Sequence, residues 1–369
     1  MFQNQTSRRL WAGAGILLCA FFYSANGSAH SYLNELYAKQ LKYTQLTYHY
    51  APHFFHEMDG GKKWEWDFLR KTNFDHDWTY KNNKDNSLRF DLDWSADVYW
   101  FVQETETHYF IQFDYFHPND SKFLLGHEND LEGLMFLVEK DGSEFGKLIA
   151  VSTRAHWYTR QHTFSDTKQF FKWKLLNKTQ ASLKEDFTGR HSFFIEKKGH
   201  GMQGPTHLVW DSTHQRFKLK KGQRGVVYSP TLLGPYGMAL PQTADMVKLR
   251  KKIKSVQHFS FKYELVNYLN PEEGLLYRWG ECIFNVLSSE ECSTEFGRSK
   301  KLGNYGYFPG TLGMATPFWR AWGWGIDPAA HWRKQLKKEY RGKVESNYVN
   351  NGILDIISGE PDRQLASSP

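Results

Sequence analysis

The feature that most constrains this chain is a series of short apolar runs, each closed by a turn. Val98–Glu104 and His108–Phe116 flank Thr105-Glu106-Thr107, and Leu131–Val138 and Lys147–Thr153 flank Lys140-Asp141-Gly142-Ser143. Aromatic and β-branched residues crowd these runs, and side chains of that shape suit a pleated, half-buried surface. Asp-Gly between two such runs is a strong hairpin signal, because glycine reaches the backbone conformation a tight turn needs. His191–Glu196, Pro205–Trp210 and Phe259–Leu269 read as further strands. This spacing predicts a mainly β chain, an antiparallel β-sandwich with peripheral helices. One helix is expected from Tyr32 to about Leu46. Another opens at Asp327-Pro328, an N-cap followed by proline at the first helical position, and runs to about Tyr340.

The first 29 residues read as a secretory signal peptide. Arg8 and Arg9 precede an apolar run from Leu10 to Ala25, and small residues follow at Gly27, Ser28 and Ala29. The run is short for a membrane span of about 20 residues; a retained anchor is the alternative. Ser7-Arg8-Arg9 also resembles a twin-arginine export signal. The protein is therefore expected to be secreted or periplasmic. The remaining chain divides into a sandwich domain over 30–270, a Trp-rich extension over 271–358 packed on it, and a polar tail over 359–369 expected to be disordered. Cys282 and Cys292 are the only cysteines beyond the signal, and an oxidising compartment would pair them as a disulfide. Two buried free thiols are the other reading.

Between the two hairpins lies Gly126-His127-Glu128-Asn129-Asp130-Leu131-Glu132. Residues two apart in a strand share a face, so Asp130 and Glu132 are neighbours at the mouth of a core strand. Neighbouring carboxylates repel unless a proton or cation neutralises one. No Lys or Arg falls between Phe123 and Val138 to do so. An imidazole beside two carboxylates suits a divalent metal; the bland alternative is an ordinary loop entering a strand. If the second hairpin turns between Asp141 and Glu144, pairing puts His156 opposite this segment. His200, between Gly199 and Gly201, sits where the backbone can come close to a ligand.

The net charge is +7, or +5 once Arg8 and Arg9 are removed with the signal. Basic clusters at Lys218–Lys221, Arg250–Lys252 and Arg333–Lys338 would suit an anionic envelope or glycan, or simply form solvated faces. They match no nucleic-acid motif.

Tyr115-Phe116-His117-Pro118-Asn119-Asp120, followed by the 126–132 heptad, resembles the central signature of the necrosis- and ethylene-inducing-like proteins, the NLPs. The resemblance implies a β-sandwich holding a divalent cation at one end, with Asp120, His127, Asp130 and Glu132 as ligands. Glu128, Asn129 and Leu131 stand where that family has Arg, His and Trp, positions that belong to its toxin signature, so plant-cell lysis is not implied. Tyr50-Ala51-Pro52, the His-x-x-Asp-x-Glu core and the run from His191 to His200 are also similar to the Vps62-like family, over roughly residues 48 to 210.

Three functions follow. The first is an exported module that uses a divalent cation to engage a glycan or lipid headgroup, with peripheral contact at a membrane surface. Its oxygen-rich ligand set favours Ca²⁺, Mg²⁺ or Mn²⁺ over Zn²⁺. The second is a metal-dependent hydrolase in which His156 or His200 moves protons; no Ser or Cys nucleophile elbow and no His-Glu-x-x-His motif supports a standard hydrolase class. The third is a structural acidic cluster that ties loops together.

Overall fold

The computed structural model describes residues 30–59, 64–76, 78, 82–89, 91–121, 128–155, 158–172, 179–230, 258–278 and 327–350. The signal segment, Cys282 and Cys292, the Gly- and Trp-rich stretch over 303–324, and the tail all lie outside the described residues.

Among the described residues, thirteen strands form the body: β1 (His53–Glu57), β2 (Ala96–Thr105), β3 (His108–Asn119), β4 (Glu128–Glu139), β5 (Lys147–Ala155), β6 (Tyr158–Thr163), β7 (Thr179–Ala181), β8 (Ser192–Ile195), β9 (Val209–Asp211), β10 (Arg216–Lys218), β11 (Gly225–Ser229), β12 (His258–Asn267) and β13 (Tyr348–Asn350). The hairpins expected from sequence are β2–β3 and β4–β5. The protein is mainly β, as its sequence reads, but the strands do not form two separate antiparallel sheets. One hydrogen-bonded path runs β7-β6-β5-β4-β3-β2-β12-β11-β1-β8, with β13 added to β2. β2 to β6 are antiparallel neighbours, whereas β1 with β8, β11 with β12, β12 with β2, and β6 with β7 are parallel.

This mixed sheet curls into a half-barrel. Strands far apart on the path meet across its inside, as a sandwich's two layers would. The rings of Phe136 on β4 and Phe193 on β8 are 6.0 Å apart, and those of Phe54 on β1 and Tyr115 on β3 are 5.5 Å apart. The Met202 N–H, beyond β8, donates to the Arg154 carbonyl of β5 at 3.0 Å, nearly closing the curl.

Alternate residues of β2 to β4 point inward, among them Val98, Trp100, Val102, Ile111, Phe113, Leu134 and Val138. The other face is covered too. Tyr99, Phe101, Phe116 and Leu131 pack with Tyr268 and Leu269, and Phe110, Met135 and Leu137 lie with Trp332 and Leu336. A strand buried on both faces reads as a continuous apolar run, which is why these segments were so legible. Each such large side chain contributes roughly 1.5–3 kcal/mol by leaving water.

The N-terminal helical stretch covers 30–41 and continues as Thr44–Tyr50. Gln40 pins it to β2, its amide donating to the Val102 carbonyl at 2.9 Å and accepting from the Val102 N–H at 3.0 Å. The C-terminal helix spans Pro328–Gln335, and the Asp327 side chain caps it by accepting from the Ala330 N–H at 2.9 Å. It stops short of Tyr340 because Leu336 turns extended, and a 3-10 turn over Lys338–Lys343 follows.

Candidate metal centre

β3 and β4 pair so that His117 lies directly opposite Asp130, and Tyr115 opposite Glu132. Asp130 and Glu132 share one face, as their spacing requires, and both are buried. β1 contributes His56, and the turn after β8 contributes His200. The three histidines meet in the interior. His56 and His117 face each other through their Nε2 atoms at 3.0 Å. The rings of His117 and His200 stack 3.7 Å apart, with 7° between their planes. Ligand nitrogens of His56, His117 and His200 all lie within 4.8 Å of one another, and each residue is fully buried.

His200 is gripped on both sides. Its Nδ1 is 3.1 Å from Asp130 Oδ2, and its Nε2 is 3.3 Å from Asp67 Oδ1. Asp67 ends a 3-10 turn over Trp64–Asp67, and its carboxylate also accepts from the N–H groups of Lys198 at 2.9 Å and Asp59 at 2.5 Å. The Tyr115 hydroxyl donates to the His200 carbonyl at 2.7 Å. Burial works against a charged His200, but the Asp130 and Asp67 carboxylates outweigh it and raise its pKa to about 9. Burial pushes His56 down to about 3, with Asp67 opposing and His200 adding to the fall. Burial, His200 and His56 hold His117 well below its usual range. The cluster is thus one charged imidazole bracketed by carboxylates and two neutral ones against it.

Two backbone outliers sit in this cluster. His200 has φ 51° and Asn129, beside Asp130, has φ 62°, both in the left-handed region that side chains disfavour. Asn129 is held there by the Asn83 amide, which donates to its Oδ1 at 2.6 Å. Such conformations cost of order 1–3 kcal/mol and gather at functional sites.

The residues expected from sequence divide as follows. Asp130 contacts His200, and Glu132 lies on the same face. Asp120 is buried at the end of β3, where the next residue's N–H donates to the Lys198 carbonyl at 2.8 Å, two residues before His200. His127 and His156 lie outside the described residues. The expectation that no basic residue neutralises the carboxylates needs correction, because the relevant cation comes from the next strand. Arg154 of β5 is buried; burial lowers its guanidinium pKa, and Glu132, Asp114 and Asp130 pull it back up. Gly133 keeps this wall close, since a Cβ there would sit 1.9 Å from Asp114 Oδ1.

Sequence reasoning missed His56, His117 and Asp67. His117 faces Asp130 through the β3–β4 pairing, which joins the two expected hairpins and was not itself expected from sequence. His56 and Asp67 arrive through long-range pairing and a short turn, which leave no local signal.

No protein-family model matches the chain, and no curated protein matches it. Solved structures similar to part of it include NLPPya in complex with glucosamine, at 19% identity and TM-score 0.20, covering 30% of this chain and 45% of that one. Non-toxic HaNLP3 overlaps at 16% identity and TM-score 0.18, covering 29% and 54%. Necrosis and Ethylene inducing Protein 2, from the causal agent of cocoa's Witches' Broom disease, overlaps at 12% identity and TM-score 0.21, covering 37% and 61%. They are NLP proteins. The chain spans less than two thirds of the length of each.

Proposed function

We propose that this chain is an exported binding module that carries a divalent cation at the histidine end of its sheet and uses that end to engage a glycan or lipid headgroup at a cell surface. One observation carries the reading: the ligand nitrogens of three fully buried histidines converge within 4.8 Å. The donors suit such an ion. Two nitrogens each 2.0–2.1 Å from a tetrahedral ion stand roughly 3.3 Å apart, near the 3.0 Å between His56 and His117. Buried His117 Nδ1 has no hydrogen-bond partner among the described residues, so ring rotation offers a second donor atom. An ion would be held by His56 and His117, and His200 would join them by giving up its proton and one of its two carboxylate contacts; with Asp67 and Asp130 supplying negative charge, the ion would cross-link β1, β3 and the turn after β8.

Three imidazoles move the choice of ion away from Ca²⁺, which takes about six to eight oxygens, toward Zn²⁺ or Mn²⁺. The complete burial of these donors favours a second reading, in which the ion is purely structural. It gives the hydrolase reading less support, because His200, one of its two proposed proton carriers, has no exposed surface.

The test is elemental analysis of the purified protein, with thermal melts in chelator and then in added Zn²⁺, Mn²⁺, Mg²⁺ or Ca²⁺. The expected result is a bound metal, a midpoint that falls with chelator and recovers with one ion, and loss of both effects in His56→Ala and His117→Ala. Absence of metal together with an unmoved midpoint would sink the cation reading. Screening vesicles of anionic lipid and immobilised glycans with and without the ion then separates a binding module from a structural ion.

A further inference from the structure

Away from the histidines, the half-barrel leaves an open cleft. Strand register shows how far off it lies. His56 pairs with Val226, and Val226 with Phe259 of β12. Asn267, which lines the cleft, lies further along β12; it pairs with Trp100, and Trp100 with Phe113, four residues from His117, so the cleft is on the order of 13 Å along the strands from the nearest histidine at about 3.3 Å per residue. The cleft has a volume of about 760 Å³ and runs between the N-terminal helical stretch and β12. Ligand sites favour such places, at the mouths of barrels and between packed elements.

Its walls specify a chemistry. Tyr37, Tyr48 and Leu265 give it apolar and aromatic surface, and Tyr48 is 43% exposed although it is a large ring on a helix packed against the sheet. Lys262 and Glu264 also line it, but they pair with each other at 2.5 Å and leave the wall without net charge. Asn267 is only 4% exposed. Its Oδ1 accepts from the Leu269 N–H at 2.8 Å, while its Nδ2 has no hydrogen-bond partner among the described residues. Buried amide donors are nearly always paired, and an unmade bond costs about 1–3 kcal/mol.

We propose that this cleft is a subsite for a neutral saccharide of one or two hexose units. A sugar ring offers an apolar C–H face to the tyrosines and hydroxyl oxygens to a waiting amide donor. A charged ligand would have to break the Lys262–Glu264 pair, and an acyl chain would give the Asn267 amide no acceptor. The site is independent of the cation centre.

The experiment is isothermal titration of the full chain with maltotriose, cellotriose and chitotriose, each with and without chelator. One of these sugars should bind, chelator should leave the affinity unchanged, and Tyr48→Ala should weaken it about tenfold while Tyr48→Phe retains it. Circular dichroism and the melting midpoint check that each variant is folded. No binding by any of the three sugars overturns the subsite. So does binding that Tyr48→Ala and Tyr37→Ala both leave intact. Binding abolished by chelator moves the sugar to the histidine end, which defeats this inference and supports the cation reading; a protein free of metal defeats the cation reading and leaves this test standing.

Discussion

His162 and His200 are both fully buried, yet they are housed in opposite ways. His162 has a hydroxyl on each nitrogen, Thr153 Oγ1 at 2.9 Å from Nε2 and Ser182 Oγ at 3.0 Å from Nδ1. A hydroxyl both donates and accepts, so a neutral His162 is complete. Burial, with Arg160 and His207 nearby, pushes its pKa down to about 3. His200 instead has a carboxylate on each nitrogen and two more histidines against its ring. The contrast separates a histidine that closes a core from one in a group with more donor atoms than its hydrogen bonds use.

The largest effect that could break the contrast is on stability. His200→Ala would leave Asp67 and Asp130 buried beside an empty space, and removing one partner of a buried charged pair costs about 3–5 kcal/mol. Urea unfolding measures it, and a loss below 1 kcal/mol would mean that His200 is not a charged bracket. Gly204→Ala should cost less, about 1–3 kcal/mol. Gly204 has φ 83°, and a Cβ there would lie 2.1 Å from the His162 ring, so the variant disturbs the self-contained histidine and should leave metal content unchanged.

A smaller effect follows from pH. Because His162 binds its proton less readily when folded, the unfolded chain holds more protons between pH 6.5 and about 3. Its contribution is fully present above pH 6.5 and is lost as pH falls toward 3, with a slope of up to about 1.4 kcal/mol per pH unit. His162→Gln should flatten the acid side of the stability curve by that amount, and an unchanged curve would show the ring to be charged in the fold. The smallest expected effect is none at all: His162→Gln should leave any ion-induced rise in melting midpoint where it is in the wild type.

What the sequence disclosed follows the range of each contact. β2 to β5 were readable to within a few residues, because Glu106-Thr107 and Asp141-Gly142 turn the chain locally and both faces of β2 to β4 are apolar. His117 comes opposite Asp130 only where the two hairpins pair with each other through β3 and β4, a register that neither turn sets. The parallel pairs could not be read. His53 finds Ser192, and Gly225 finds His258, with no turn between them to declare the partnership. Arg154 escaped for a related reason, since a charge balance drawn from Phe123 to Val138 does not see across a strand to its neighbour.

That order of contacts also bears on how the protein reaches its native state. The β2–β6 meander closes short loops, whereas β1, β8, β11 and β12 must find partners across long stretches of chain, and loop-closure entropy delays such pairings. His117 travels with the early meander, while His56 and His200 arrive on the late strands. The histidine cluster is therefore a seam stitched at the end of folding: a chain stalled before closure would have its hairpins and its hydrophobic collapse, but no three-histidine centre to offer an ion.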